Sequence, residues 1–424
     1  LFLKALKMNR VAVTGLGILS PLGLNLKEND ERLFSCVSGI KTIEAPLTSK
    51  YRPIAGEIGL EKVVSSLEML TEREKANNSS LALFTFKASH EALSSGGFLK
   101  NKFYDYNMLR CGSILGIGMP DMKMIQDAIV GWDKKGIRGI PVRTIPGSPP
   151  NASTSLLAEK LNIRGTTFTT SAACASSSHA IINASMEIAT GNHDLMITGG
   201  SFSRICPFTL SSFHTTGALY RGAFPAQKAS RPFDLDRLGF IMSEGAAVLI
   251  LENYEKALER KANLFGEIVG FGATSDGHHL TTPDPEGTFQ AEAMKKAFKM
   301  AKVDPSEVLH VNAHATSTKV GDISEIKAIK KAFGPVAKNV IISANKSSIG
   351  HTMSSAASIE LIFSLLALKR QQSSPTLNLE NQDPECDLNC SANQCIPFQS
   401  EYALSNSFGF GGTNTSILVK GPQL

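Results

Sequence analysis

A chain of 424 residues exceeds the size at which one hydrophobic core keeps growing, so two core-forming units are expected. Its 42% hydrophobic and 19% charged content excludes a disordered or collagen-like protein. Forty-three basic residues against 38 acidic ones leave a net charge of +5, with no Lys/Arg block interleaved with aromatics. That balance argues against a nucleic-acid partner and suits an acidic protein partner.

In chain order, the first eight residues (Leu1 to Met8) carry two lysines and no acid. They read as a vector scar or the end of a transit peptide, with Met8 as the start. Arg10 to Gly17 reads as a buried strand stopped by glycines, and a helix is expected over Leu81 to Leu93. The small-residue run Thr169 to Ala180 contains Cys174 and leads into a helix over Ala175 to Ile188. Strands are expected at Leu195 to Thr198 and Ala247 to Leu251. Between them, residues 203–245 read as a long functional loop, with phrases such as Gly217-Ala218-Leu219 and Arg231-Pro232-Phe233-Asp234.

The charged helix Asn253 to Lys261 marks a boundary, after which Gly266 to Ala273 repeats the first strand's pattern. An internal duplication follows, with units 8–262 and 263–424. The second unit continues with a helix over Glu292 to Ala301, the apolar stretch Val308 to Val311 opening at His314, and a strand at Val340 to Ser343. It ends with a helix over Ser354 to Leu368 and a glycine-rich turn, Asn406 to Asn414, just before the last strand at Thr415 to Val419. Helices alternating with strands predict an α/β fold. The longest apolar runs, near Ala246 to Leu251 and Ile359 to Leu368, are too short for a membrane span.

Seven scattered cysteines, an odd number, do not form a secreted disulfide framework and favour a reducing compartment. Most cysteines are small buried apolar side chains. Cys174 differs because the helix that follows it presents its first amides to the sulfur, which favours the thiolate. His314 and His351 are set apart from the other seven histidines, the pair His278-His279 included, by paired loops of small residues that admit a substrate. Glycines around Phe408 and Phe410 leave backbone amides exposed and give an aromatic room to swing, the makings of an oxyanion donor and a gate. Gly15-Leu16-Gly17-Ile18-Leu19-Ser20 lacks the third glycine of a dinucleotide fingerprint and no phosphate-binding loop exists, so no cofactor is expected. Cys386, Cys390 and Cys395 lack a C-x-x-C element and a fourth ligand, so they read as a polar surface loop and no metal is expected.

Four motifs stand in order: Ser-Ala-Ala-Cys174-Ala-Ser, Asn-Ala-His314-Ala-Thr-Ser-Thr, Lys346-Ser-Ser-Ile-Gly-His351 and Asn-Ser-Phe408-Gly-Phe410-Gly-Gly-Thr-Asn. From about Met8 onwards the chain resembles the β-ketoacyl-acyl carrier protein synthases; its two histidines resemble the elongating types I and II, and its length and final turn resemble type II most. The resemblance implies a thiolase fold, two duplicated halves in five α-β-α-β-α layers, the first carrying the cysteine and the dimer interface and the second the two histidines. It implies a homodimer that takes acyl- and malonyl-loaded acyl carrier protein and lengthens an acyl chain by two carbons in fatty acid elongation.

By the same resemblance Cys174 is the nucleophile, His314 and His351 bind the thioester oxygen during decarboxylation, and Lys346 is paired with Glu360. Cys174 and Phe410 supply the amides of an oxyanion hole, Phe410 is the gating aromatic, Phe408 is a substrate-binding residue, and Thr316 and Thr318 bind the pantetheine arm. Gly118, in Leu115-Gly116-Ile117-Gly118-Met119, belongs to the acyl-pocket wall, and Arg73 and Lys75 fall near the carrier-protein docking region. Ala315 stands where the family has glycine, and Ser354 to Ser358 replaces a more glycine- and alanine-rich run. A cytoplasmic enzyme, or one in an organelle matrix or stroma after removal of a transit peptide, fits this family. A type II polyketide ketosynthase and a non-catalytic chain-length partner subunit are the alternatives. A degradative thiolase is disfavoured because it wants a second cysteine near the C-terminus.

Overall fold

The computed structural model describes residues 8–44, 53–98 and 106–422. Residues 1–7, which the leader expectation concerns, lie outside the described residues. Ten strands form the main sheet: β1 (Val11–Leu19), β2 (Cys111–Gly116), β3 (Thr167–Thr170), β4 (Leu195–Phe202), β5 (Gly245–Asn253), β6 (Gly266–Ser275), β7 (Val308–Asn312), β8 (Ile341–Ser343), β9 (Tyr402–Gly409) and β10 (Thr413–Lys420). Their spatial order is β8-β7-β9-β10-β6-β1-β5-β4-β2-β3. Outwards from the antiparallel β1–β6 contact, each side runs through two antiparallel pairings and then two parallel ones. The strand pattern is therefore repeated.

Six helices cover the strands: α1 (Ser80–Ser95), α2 (Ala152–Leu161), α3 (Ser176–Ala189), α4 (Thr288–Ala301), α5 (Lys319–Phe333) and α6 (Ala356–Arg370). α1 packs on β1 and β5, with α2 beside it; α4 packs on β6 and β10, with α5 beside it. α3 and α6 touch each other and are sandwiched between strands of both sides, which makes the middle layer of five. Every residue of α6 from Ala356 to Leu368 is buried, as a helix apolar around most of its circumference must be.

The glycines of the first strand do not stop it. β1 runs on to Leu19, and a Cβ at Gly15 or Gly17 would stand 2.2 Å from the Ala92 carbonyl oxygen or 2.0 Å from that of Ala88, both on α1. Gly270 and Gly272 of β6 meet the Ala297 and Ala293 carbonyls of α4 at 2.3 and 2.0 Å in the same way. The repeated Gly-x-Gly is a repeated close approach of helix to strand.

The two central helices are also entered alike. Ala173 (φ 48°) opens a 3₁₀ turn over Ala173–Ala175 before α3, and Met353 (φ 51°) opens one over Met353–Ser355 before α6. α6 thus starts two residues later than expected, because Met353–Ser355 is the tighter 3₁₀ coil.

Four other expectations are corrected. The stretch 203–245 contains a nine-residue helix, Pro207–Thr215, where proline takes a first-turn position that needs no amide hydrogen. The glycine-rich turn is the tip of a hairpin, since β9 already holds Asn406 to Gly409, with Phe408 opposite Asn414. Cys386 and Cys390 are not at the surface: they are 0% and 2% exposed, packed beside Leu379, Leu388 and Leu404. The charged segment after β5 is helical only over Tyr254–Glu259, and the Asn253 side chain caps it by accepting the amides of Glu255 and Lys256. Among the described residues no helix is long and apolar enough to cross a membrane.

Candidate active site

Cys174 sits on the turn that opens α3. The Ser176 hydroxyl accepts the Ala172 amide (2.9 Å) and donates to the Ala173 carbonyl (2.6 Å), which secures the left-handed Ala173. The hairpin β9–β10 leans on this turn. A Cβ on Gly409 would stand 2.7 Å from the Ala172 carbonyl, and the Ser407 hydroxyl donates to the Cys174 carbonyl at 3.2 Å. As a result the amides facing the sulfur are those of Phe410 and of Cys174 itself.

Their pull does not win. Burial pushes the Cys174 thiol up to about 11, against the Lys346 charge and the two amides. The sequence-based expectation of a resting thiolate is corrected accordingly: desolvation outweighs the helix end.

His351 and His314 converge on the same sulfur. His351 Nε2 lies 3.0 Å from Cys174 Sγ, while its Nδ1 accepts the Met353 amide at 3.3 Å. A neutral ring with an accepting Nδ1 carries its proton on Nε2, so His351 offers the sulfur a donor. The His314 ring stands edge-on to that of His351, with centroids 5.4 Å apart, and its other side meets the Phe408 ring at 5.8 Å. Burial first, then the Lys346 charge, holds both imidazoles well below their usual 6.5.

Lys346 is 1% exposed and forms an ion pair with the fully buried Glu360 of α6 at 2.5 Å. Burial pushes the Glu360 carboxyl up and the Lys346 ammonium pulls it back. Sequence reasoning missed Glu325, on α5. Its carboxylate accepts the amides of His314 (2.9 Å) and Ala315 (2.7 Å) and the Asn406 side-chain amide (3.1 Å), which ties the His314 loop to the hairpin. Burial pushes Glu325 up to about 7. The available signal was a carboxylate on the face of α5 that carries Ile326 and Ile329, all buried.

A cavity of about 520 Å³, a size suited to a small-molecule chain, brings together Cys174, His314, His351, Thr316, Thr318, Phe408 and Phe410. Thr316 and Thr318 approach each other, Oγ1 to Oγ1, at 3.0 Å. Gly118 is not among the lining residues; it packs against the Ala173 carbonyl, 3.2 Å from the place of a Cβ. Arg73 is exposed on the helix Glu72–Asn77, and Lys75 pairs with Glu72 at 2.8 Å. Arg237 reaches the cavity wall, but its guanidinium is held by Asp383, Asp322 and the carbonyls of Asp234, Thr318 and Lys319. The serines of the run 354–358 donate to backbone carbonyls, Ser354 across to Ser201 and, within the turn, Ser355 to Thr352 and Ser358 to Ser355. Ala315 is buried on a backbone that has no need of glycine, its amide taken by Glu325.

Among the described residues, one group of three side chains has the spacing of a metal site, and it is Cys174, His314 and His351, with ligand atoms within 4.8 Å of one another. Sulfur and two neutral imidazoles suit a soft divalent cation, and equally suit chemistry on a thioester held between them.

Residues 8–257 match "Beta-ketoacyl synthase, N-terminal domain" and residues 265–380 match "Beta-ketoacyl synthase, C-terminal domain". The chain is 35% identical over 412 residues to the 3-oxoacyl-[acyl-carrier-protein] synthase 2 of Staphylococcus aureus (strain N315), covering 97% of this chain and 98% of that one. The enzyme of the same name from Vibrio cholerae serotype O1 is 34% identical over 413 residues, 97% and 99% of the two chains. Of solved structures, a beta-ketoacyl synthase from Burkholderia phymatum STM815 superposes with a TM-score of 0.88 at 31% identity, covering 98% of this chain and all (100%) of that one. A ketosynthase in complex with its type II PKS acyl-carrier protein and bound to the hexaketide superposes at 0.89 with 28% identity, again over 98% and 100%. These neighbours carry the thiolase fold that the five layers describe. Profile matches across both parts of the chain, full-length identity above 30% and a cysteine flanked by two imidazoles in one buried cavity agree: the chain belongs to the beta-ketoacyl synthase family.

Proposed function

We propose that this chain is a 3-oxoacyl-[acyl carrier protein] synthase that condenses an acyl group with malonyl-acyl carrier protein, with loss of carbon dioxide, in fatty acid elongation. The observation that carries the reading is the convergence of Cys174 Sγ, two neutral imidazoles and two backbone amides on one cavity. In the first stage the Cys174 sulfur attacks the acyl thioester, and its proton leaves on the departing carrier thiol. The tetrahedral oxyanion lies between the amides of Cys174 and Phe410.

In the second stage malonyl thioester loses carbon dioxide and its oxygen becomes an enolate. His351 Nε2–H and His314 donate to that oxygen, each donor lowering the barrier by about 3 kcal/mol in a dry site. Neutral rings suit this role, since they donate without surrendering a proton to the carbanion. The carbanion then attacks the acyl carbon on Cys174, and collapse expels the thiolate. Lys346 and Glu360 set the field around the rings, Thr316 and Thr318 hold the pantetheine arm, Phe408 contacts the substrate, and Phe410 moves as the gate. Gly118 keeps the acyl-pocket wall close to the nucleophile turn, and Arg73 and Lys75 belong to the carrier-docking side.

The reading extends to a homodimer. β3 is an outer strand of the sheet with Phe168 39% exposed, and Trp132, Ile137, Val142 and Ile145 lie exposed on the stretch before it. A strand edge unpaired among the described residues, together with exposed apolar side chains, is what a second copy would cover. Units 8–262 and 263–424 meet at the β1–β6 contact, the first bringing Cys174 and the second both histidines. Seven free thiols suit a reducing cytoplasm or organelle matrix.

Intact mass after incubation with acyl-carrier proteins of graded chain length tests the assignment. A gain equal to the acyl group, absent in Cys174→Ala, is expected, with long saturated chains the best donors. Preference for a polyketide starter moves the chain to the type II polyketide class, and no acylation with any donor leaves the non-catalytic partner subunit.

A further inference from the structure

Two thiols that take no part in the cavity lie against each other. Cys36 is exposed just beyond the helix Leu26–Phe34, and Cys395 is partly buried in the loop that precedes β9. Each sulfur addresses the other's chain: the Cys395 thiol donates to the Phe34 carbonyl at 3.5 Å, and the Cys36 thiol faces the Asn393 carbonyl at 3.9 Å. Phe34 is two residues before Cys36, and Asn393 is two residues before Cys395. Burial first, then the neighbouring Cys36 thiol, pushes the Cys395 thiol up.

The ground under the pair is fixed. Arg370, at the end of α6, forms a two-pronged ion pair with Asp30 at 2.8 and 2.9 Å and stacks on the Phe34 ring, 4.6 Å from its centroid. The helix that presents Cys36 is thereby anchored to the part of the molecule that presents Cys395. Of the other five cysteines, Cys111, Cys174, Cys206, Cys386 and Cys390, all are buried. Cys386 and Cys390 are neighbours too, but no oxidant reaches them. Only the first pair combines proximity with access.

We propose that Cys36 and Cys395 form a thiol–disulfide exchange site that closes an intramolecular disulfide when a small disulfide of the glutathione class is in excess. The exposed Cys36 sulfur attacks one sulfur of the small disulfide, forms a mixed disulfide and releases one thiol. Cys395 then attacks the Cys36 sulfur, the mixed bond breaks and the second small thiol leaves. Two cysteine thiols are oxidised, one disulfide is reduced to two thiols, and the two cysteine protons pass to them. The bridge staples the end of the helix Leu26–Phe34 to the loop before β9, and its state follows the thiol–disulfide ratio around the protein.

The full chain is treated with oxidised glutathione under native conditions, its remaining thiols are blocked, and its peptides are mapped by mass. A peptide pair linked through Cys36 and Cys395 is expected, lost on dithiothreitol treatment and at least tenfold less abundant in Cys36→Ser. In Cys395→Ser, Cys36 is expected to keep its glutathione adduct, whereas the wild type loses it to the bridge. Glutathione adducts at Cys36 that persist in the wild type without a linked pair overturn the proposal, as does a Cys36 that remains unmodified.

Discussion

His351 presents to Cys174 the ring nitrogen that its own backbone leaves as a donor: Nδ1 accepts the Met353 amide at 3.3 Å and Nε2 stands 3.0 Å from Sγ. A ring in that tautomer steadies a thiolate but has no free lone pair with which to take the thiol proton. Cys174 is therefore not part of a preformed ion pair, and burial outweighs the Lys346 charge and the two amides in setting its proton affinity.

The pH dependence of alkylation follows from this. With the thiol pushed up to about 11, the thiolate fraction rises about tenfold per pH unit across the neutral and mildly alkaline range. Inactivation by iodoacetamide should climb steadily from pH 7 to about 10 with no plateau. A plateau already reached near neutrality means a thiolate–imidazolium pair and contradicts the hydrogen-bond assignment of His351.

Replacing either imidazole should separate the two stages. His314→Ala keeps the amides and the Cys174 turn, so acylation from acyl-carrier protein proceeds, while decarboxylation falls about 10²- to 10³-fold for one lost oxyanion donor. His351→Ala should lose as much, and the double variant clearly more than either, because each ring gives its own hydrogen bond to the oxygen. Both rings are held well below 6.5, so decarboxylation by pre-acylated enzyme should change little between about pH 7.5 and 6. Equal loss of acylation and decarboxylation in His314→Ala would falsify the division of labour.

Lys346→Met removes the cation from a carboxylate that makes no other ion pair among the described residues, and an uncompensated buried charge costs about 3–5 kcal/mol. Denaturant unfolding should show that loss. Lys346→Met combined with Glu360→Leu should recover most of it, since an apolar pair of similar volume needs no solvation. Condensation should stay low in the recovered double variant, because the rings lose their neighbouring charge. Full activity in that variant reduces the pair to a structural element.

The site was legible because its chemistry needs side chains at fixed points along the chain. Cys174, His314, Lys346 and His351 each stand in a run of small residues, and such runs are visible without coordinates. What escaped was whatever depends on a second segment. The Phe410 amide reaches the sulfur only because Gly409 lets the hairpin touch the Ala172 carbonyl, 2.7 Å from the place of a Cβ, and Glu325 acts through two amides ten or eleven residues away. The Cys174 environment was misjudged for the same reason: a helix start is read locally, while desolvation is the sum of everything that folds over it. Strand glycines were read as breaks because a chain pattern does not reveal the helix carbonyl that sits where a Cβ would go.

The two sides of the sheet offer a matched test. Gly17 and Gly272 each face a helix carbonyl 2.0 Å from where a Cβ would stand, Ala88 on α1 in one case and Ala293 on α4 in the other. Backbone cannot swing aside as a side chain can, so Gly17→Ala and Gly272→Ala must push a whole helix off its strand. Overpacking of this kind costs about 1–3 kcal/mol or more, and both variants should unfold earlier in denaturant by comparable amounts. Gly118→Ala is the control: its new methyl meets nothing closer than 3.2 Å, so a shift of a few tenths of an ångström accommodates it. The repeated Gly-x-Gly is a packing device if both strand variants lose stability and the control does not. Unchanged midpoints for Gly17→Ala and Gly272→Ala would leave the duplicated strand pattern without its physical reason.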